Sequence, residues 1–532
     1  MRRMQRWMAA LALAVASGVA VEPVQPIHFD VLIRNARVLD GSGNPWLRAD
    51  VGITGDRIAA VGALGAATAT RTIDASDRIL APGFIDVHSH AGDGLRTPAL
   101  HQGQPLLAQG VTTIVANPDG GGPIDLAAQR AALEAAHIGP NVGLLIGHGA
   151  VRSAVMKSEN RAPTADELQK MKDLVRRAMD EGALGLSSGL FYVPGSFAKT
   201  EEVIELAKVA AASGGLYTSH IRDEGNYDTG VRASVREVIR IAEAAKTIGI
   251  VTHMKALGRD SWGLAPVLVK DLEEARARGV QVFADQYPYE ASSTSLRAAL
   301  VPGGVEPTPA IVTENLRRRN GPDAVLIASY RADPTLQGKT LTEIAKARGV
   351  DPVTAALALM DAGNASIVSF NMSEPDIEAI MRAPFTMACS DGGLAPLGAG
   401  FPHPRDYGAF ARRLAVYVRE RKVVGLEFAI RSMTSLPAAV FGLKDRGTIR
   451  PGAFADLVIF DPASIRDAAT YAEPQRLAEG VSDVLVNGVP VRLDGKFTDA
   501  LPGRVLGSNR GQTGVRPLAT RQPWLSFLLN SQ

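Results

Sequence analysis

Phe84-Ile-Asp-Val-His-Ser-His90 is the stretch on which the fold turns. Its apolar run ends in a His-x-His pair, and alternate residues of a strand point to the same side, so the two imidazoles can chelate one metal. Further along, Gly110-Val-Thr-Thr-Ile-Val115, Asn141-Val-Gly-Leu-Leu-Ile146, Ala183-Leu-Gly-Leu186 and Gly215-Leu-Tyr-Thr-Ser219 are short apolar runs without polar alternation. Ile248-Gly-Ile-Val-Thr252, Val280-Gln-Val-Phe-Ala284 and Phe385-Thr-Met-Ala388 share that character. Continuous apolarity is expected of parallel strands covered on both faces. Helical periodicity lies between them, over Asp166–Glu181 and Thr200–Ser213 for example. About eight strand–helix repeats predict an α/β fold, a (β/α)₈ TIM-like barrel over residues 81–436, with a doubly wound sheet as the alternative. Residues 302–350 exceed what one crossover needs and predict an inserted subdomain between the last two barrel strands.

Outside the barrel the pattern changes. Phe29 to Asp40 and Ala49 to Ile58 alternate and flank a Gly-Ser-Gly turn, and Ala455 to Pro462 and Val481 to Val491 are short strands of the same kind. These predict one small β domain built from both termini, residues 27–80 plus 437–495, followed by a tail, 496–532. At the start, Arg2, Arg3 and Arg6 precede the apolar run Trp7 to Val15, and small-x-small sites follow by Ala20. That order predicts a cleaved export signal over residues 1–20, and so an exported, periplasmic protein with no membrane contact after cleavage. With 57 Lys+Arg against 55 Asp+Glu the net charge is +2, which argues against nucleic-acid binding. Hydrophobic residues at 46 % supply a large core, and the single cysteine forbids an internal disulfide or a cysteine zinc cluster.

In a barrel of this type, side chains at the C-terminal ends of strands converge on one site. His88 and His90 end the first strand, Thr218-Ser-His220 and Val251-Thr-His253 end two others, and Cys389-Ser-Asp391 follows a late one. Any one of these histidines alone also fits a hydrogen-bonded loop or core position. Jointly, imidazoles and a carboxylate at strand ends are the donor set of zinc or a similar divalent ion, which activates bound water. Cys389 reads as a small buried filler.

Ala81-Pro-Gly-Phe-Ile-Asp-Val-His-Ser-His90 and Arg446-Gly-Thr-Ile-Arg-Pro-Gly-Ala-Phe-Ala-Asp-Leu-Val458 resemble the amidohydrolase superfamily, metal-dependent barrel hydrolases with a small flanking β domain. Gly182 to Gly195, Ser219-His-Ile-Arg-Asp-Glu224, Asp285-Gln-Tyr-Pro-Tyr289, Ser390-Asp-Gly392 and His403-Pro-Arg405 are similar, more narrowly, to its D-aminoacylases. That group carries a ligating cysteine in an Asn-Cys-Gly segment after the second strand, where this chain has Asn117-Pro-Asp-Gly120. The resemblance therefore makes Asp119 the replacement ligand, although Pro-Asp-Gly-Gly is also a good turn sequence. It implies one or two divalent ions, zinc, on His88, His90, Asp119, His220, His253 and Asp391, with Asp391 catalytic as the proton carrier. It further implies that Lys255 and Arg405 meet the substrate carboxylate and that Tyr192, Tyr287 and Ser293 line the pocket of a small-molecule substrate. The implied reaction is hydrolysis of N-acyl-D-amino acids. A dipeptidase acting on C-terminal D-residues, a cyclic amidase and a non-catalytic binding protein are the alternatives.

Overall fold

The computed structural model describes residues 27–507, so the predicted export signal and the tail beyond 507 lie outside the described residues. Eight parallel strands form the barrel: Phe84–Asp86, Val111–Ala116, Asn141–Leu144 continued by Ile146–Gly147, Gly185–Gly189, Leu216–His220, Gly249–Val251, Val282–Gln286 and Thr386–Ala388. The second, fifth and seventh are buried at every position, which is why their sequences do not alternate. Backbone bonds from His90 N to Gly392 O (2.8 Å) and from Asp391 N to His88 O (2.9 Å) join the ends of the last and first strands. Ring closure thus sets two predicted ligand segments side by side. The outer helices include Ala165–Asp180, started by a Thr164–Glu167 capping box, and Thr200–Ala212.

The small sheet takes His28–Val38, Leu47–Thr54, Arg57–Gly62, Thr68–Asp74 and Ile79–Pro82 from one side of the barrel sequence. From the other it takes Leu457–Phe460, Val481–Val486, Val489–Leu493 and Lys496–Phe497. The two contributions meet where Ile79–Pro82 pairs antiparallel with Leu457–Phe460. One face buries Val31, Ile33, Val51, Leu457 and Leu485 as its own core. Val458, Phe460 and Val484, which include the strand's alternate positions, join the barrel core.

Four boundaries differ from the expected ones. Residues 81 and 82 belong to the small sheet, and helix Ser435–Phe441 packs Val440 and Phe441 into the barrel core, so the β domain resumes at Ile449, with its first strand at Leu457, rather than at 437. The sheet also runs past 495 through Lys496–Phe497, and Val505–Leu506 of the predicted tail pairs in parallel with Asn141–Leu144. The insertion is wider than 302–350: strands Ala291–Ser295, Val325–Ser329 and Ser366–Phe370 form an antiparallel sheet with several helices. It has its own core of Leu296, Val312, Ile327, Ile344, Leu359 and Ile367. Its first strand, Ala-Ser-Ser-Thr-Ser, carries almost no apolar signal because it is held by pairing to Ser366–Phe370. Among the described residues no helix is long and apolar enough to cross a membrane.

Candidate metal centre and its cavity

The six residues read as ligands come together at the C-terminal mouth of the barrel, in two groups that share Asp119: His88, His90, Asp119 and Asp391, and Asp119, His220 and His253. Asp119 Oδ1 lies 3.3 Å from His88 Nε2, 3.5 Å from His253 Nε2 and 3.8 Å from His220 Nδ1. Its Oδ2 lies 3.3 Å from His90 Nε2. Asp391 Oδ1 is 3.5 Å from His88 Nε2 and 3.2 Å from His90 Nε2. Two donor atoms about 2.0–2.2 Å from one tetrahedral zinc stand roughly 3.3–3.6 Å apart, so most of these separations suit ligands of a shared ion. His88 Nε2 and Asp119 Oδ1 are buried without any hydrogen-bond partner, which is costly unless something else satisfies them. The donor set fits a divalent metal.

The electrostatics agree. Burial would raise the carboxyl groups of Asp119, Glu224 and Asp391, yet neighbouring imidazoles, together with Lys255 for Glu224 and Arg405 for Asp391, hold all three well below the usual range. Burial lowers His220 to about 4. At His90, whose side chain is open to the cavity mouth, Asp119 and Asp391 push the imidazole up to about 10, and at buried His253 Asp391 and Glu224 outweigh burial and push it to about 9. A field that holds protons on imidazoles also attracts a dication, and ion binding displaces those protons.

Three of the six adopt left-handed backbone, with φ of 56° at Asp119, 33° at His253 and 51° at Asp391. Such conformations persist only where surroundings over-determine them. Asp119 is cradled by glycines: a Cβ at Gly189 would overlap the Asp119 carbonyl, and one at Gly147 would overlap the carbonyls of Gly120 and Gly121. Ser187 Oγ donates to Asn117 O (2.7 Å) and accepts from Gly120 N (3.2 Å), bracing the turn from the fourth strand. The left-handed turn is therefore what presents the Asp119 carboxylate to the imidazoles around it. For His253, Asp285 Oδ1 accepts the backbone N–H at 2.6 Å. For Asp391, Asp86 accepts from Ser390 N (2.9 Å) and from Ser390 Oγ.

An open cavity of about 1130 Å³ covers this mouth. Lys255, Tyr192, Tyr287, Ser293 and Arg405 all line it, with Ser293 supplied by the insertion. The two cations are not free. Arg405 Nη1 pairs with Asp391 Oδ2 at 2.7 Å, and Lys255 Nζ is held by Glu224 and lies 2.7 Å from His253 Nδ1. Arg405 also stacks its guanidinium over the Tyr287 ring, 4.7 Å from the centroid, and its Nε and the Tyr287 hydroxyl are buried without partners. Tyr192 reaches Thr294 of the insertion at 3.3 Å, and its ring lies 4.7 Å from that of His220. His148 and His403 stay out of the ligand groups: His148 Nε2 bonds Glu202 at 2.9 Å and His403 Nε2 bonds Ala291 O at 2.9 Å. Asp86, Glu224 and Asp285 were given no role by sequence reasoning. The available signal was an ionisable residue inside an otherwise apolar strand, as in Phe-Ile-Asp86-Val and Phe-Ala-Asp285-Gln, which a fully covered strand carries only with partners.

The Amidohydrolase family profile matches residues 71–492. The chain is similar to a D-aminoacylase of Alcaligenes xylosoxydans xylosoxydans, 37% identical over 509 residues that cover 90% of this chain and 97% of that one. It is similar to an N-acyl-D-glutamate deacylase of the same organism, 38% identical with 91% and 98% covered. Among solved structures, the N-acyl-D-glutamate deacylase of Bordetella bronchiseptica, complexed with zinc and a phosphonate mimic of the tetrahedral intermediate, superposes with a TM-score of 0.81. That pair is 37% identical, with 90% of this chain and 100% of the other covered. A metal-ligand mouth on a parallel barrel, flanked by a two-part β domain and matched along nearly its whole length, places the chain in the amidohydrolase family.

Proposed function

We propose that the protein hydrolyses the amide bond of N-acyl-D-amino acids, releasing a carboxylate and a free D-amino acid, with one or two zinc ions held by His88, His90, Asp119, His220, His253 and Asp391. The observation that carries this reading is the Asp119 carboxylate shared by two imidazole groups at the floor of one cavity. Bound by these residues, a divalent ion would supply Lewis-acid polarisation of the amide carbonyl and a lowered pKa for water. Asp391 belongs to the first ligand group and lines the cavity, with Oδ1 toward His88 and His90 and Oδ2 on Arg405. Its Oδ2 keeps a second lone pair that accepts the proton of the attacking water and hands it to the departing nitrogen, which must leave as a protonated amine. Arg405 fixes the carboxylate in that orientation. Its unpartnered Nε and the Tyr287 hydroxyl are the donors that receive the α-carboxylate of the substrate, while Tyr192 and Ser293 face the same space.

D-configuration is supported by the names of the relatives at 37% and 38% identity. The dipeptidase reading keeps one observation in its favour: the cavity continues to Ser295, Ser329 and Gln337 of the insertion, a polar wall suited to an aminoacyl group. The basic, apolar and small-residue order of residues 1–20 supports export to the periplasm. The test is metal content by plasma mass spectrometry together with amine release from paired N-acetyl-D- and N-acetyl-L-amino acids. Near-stoichiometric zinc with D-only release is expected. Zinc without release from either enantiomer moves the substrate to dipeptides, and a metal-free, inert protein rejects the reading.

A further inference from the structure

Glu224 belongs to neither ligand group, yet it is buried beside Lys255 and the imidazoles of His220 and His253. It lies four residues beyond His220, in the loop that leaves the fifth barrel strand. Its Oε1 is 2.9 Å from His253 Nδ1 and also holds Lys255 Nζ, and its Oε2 is 3.9 Å from His220 Nε2. The other nitrogen of His253, Nε2, faces the opposite way, 2.9 Å from His220 Nδ1 and 3.5 Å from Asp119 Oδ1. A neutral imidazole carries one N–H. If Nδ1 donates it to Glu224, the Nε2 lone pair points into the ligand group; if Nδ1 instead accepts from Lys255, the proton sits on Nε2 and that nitrogen cannot ligate. Both partners stand within reach of Nδ1, so the carboxylate decides between a ligating and a non-ligating ring.

We propose that Glu224 is a positioning residue of the metal centre: it accepts the Nδ1–H of His253, keeps Nε2 free for the ion, and draws Lys255 away from the same nitrogen. This rests on the metal reading above. Outer carboxylates that orient ligating histidines are worth about 10–100-fold in metal affinity.

The experiment measures zinc affinity by chelator competition on the full chain, with the thermal midpoint of the metal-free protein as the control for folding. Glu224→Ala is expected to weaken zinc about 10–100-fold with little change in the metal-free midpoint. Glu224→Gln, whose amide oxygen still accepts from Nδ1, should keep most of the affinity, and Lys255→Met should keep all of it. Glu224→Asp retains charge but withdraws the oxygen by a methylene; it should weaken zinc in the same direction, so the idea is tested even where the alanine variant does not fold. Wild-type affinity in Glu224→Ala, or in Glu224→Asp where the alanine variant does not fold, overturns the proposal alone, as does an equal loss in Lys255→Met. A wild-type protein that takes up no zinc overturns the metal reading and this one together.

Discussion

Asp391 concentrates the contacts of the mouth at a single residue. One oxygen faces two imidazoles and the other is paired with Arg405, and the backbone is held in a left-handed turn by the Asp86–Ser390 bonds beneath it. Asparagine is isosteric and tolerates positive φ, so Asp391→Asn leaves the turn intact while removing the proposed proton acceptor. Turnover is expected to fall by about 10²–10⁴ with zinc retained, measured as amine release beside metal content. An unchanged rate would remove Asp391 from the proton transfer. Its position after a late strand and its acidity were legible in Ser390-Asp-Gly392, because polar residues at strand ends are the ones a barrel gathers. Its commitment to Arg405 was not, since Arg405 reaches it from the start of the next helix, Arg405–Arg412, only after the intervening loop folds back. The same holds for Lys255. Its spacing from His253 is plain in the sequence, but its neutralisation by Glu224 depends on a loop from the preceding strand.

At the scale of elements, glycines on neighbouring strands shape the Asp119 turn more than the turn's own residues do. Gly189 ends the fourth strand with no room for a Cβ beside the Asp119 carbonyl. Gly189→Ala is expected to destabilise the protein by about 1–3 kcal/mol, through the backbone shift that overpacking forces, and to lower zinc content with it. Denaturant midpoints and metal analysis check this; a stable variant with full zinc would show that the turn moves freely. The barrel strands were legible from their apolar runs, since being covered on both faces leaves no place for polar alternation. The first strand of the insertion was not, because Ala291-Ser-Ser-Thr-Ser295 is a strand only by pairing with Ser366–Phe370, some seventy residues later. Propensity is silent where a partner supplies the reason for the conformation.

For the whole molecule, buried charge pairs between elements set the acid limit of stability. Glu202, in the first turn of Thr200–Ala212, binds Arg152 and His148 of the helix His148–Met156, and all three are buried. Burial would raise the Glu202 carboxyl, but His148 and Arg152 hold it below the usual glutamate value near 4.5. A depressed carboxyl contributes stability that is fully present above that value and is lost as pH falls through its lower native value. The thermal midpoint of the wild type should therefore drop more steeply below pH 4.5 than that of Glu202→Gln, which should already be destabilised by about 3–5 kcal/mol at neutral pH with Arg152 left unpaired. Parallel curves for the two proteins would rule out this pair as a contributor. The sequence by itself determined the repeating strand–helix order, the two-part β domain and which residue types stand at strand ends, because local pattern and burial impose them on neighbouring residues. Only the tertiary structure decided that ring closure sets Asp391 against His88 and His90, and that Asp119 serves both imidazole groups. It alone placed Glu224 between His253 and Lys255, and it gave the insertion its true extent. Those facts depend on atoms brought together from distant parts of the chain, and no local property of a residue encodes such distances.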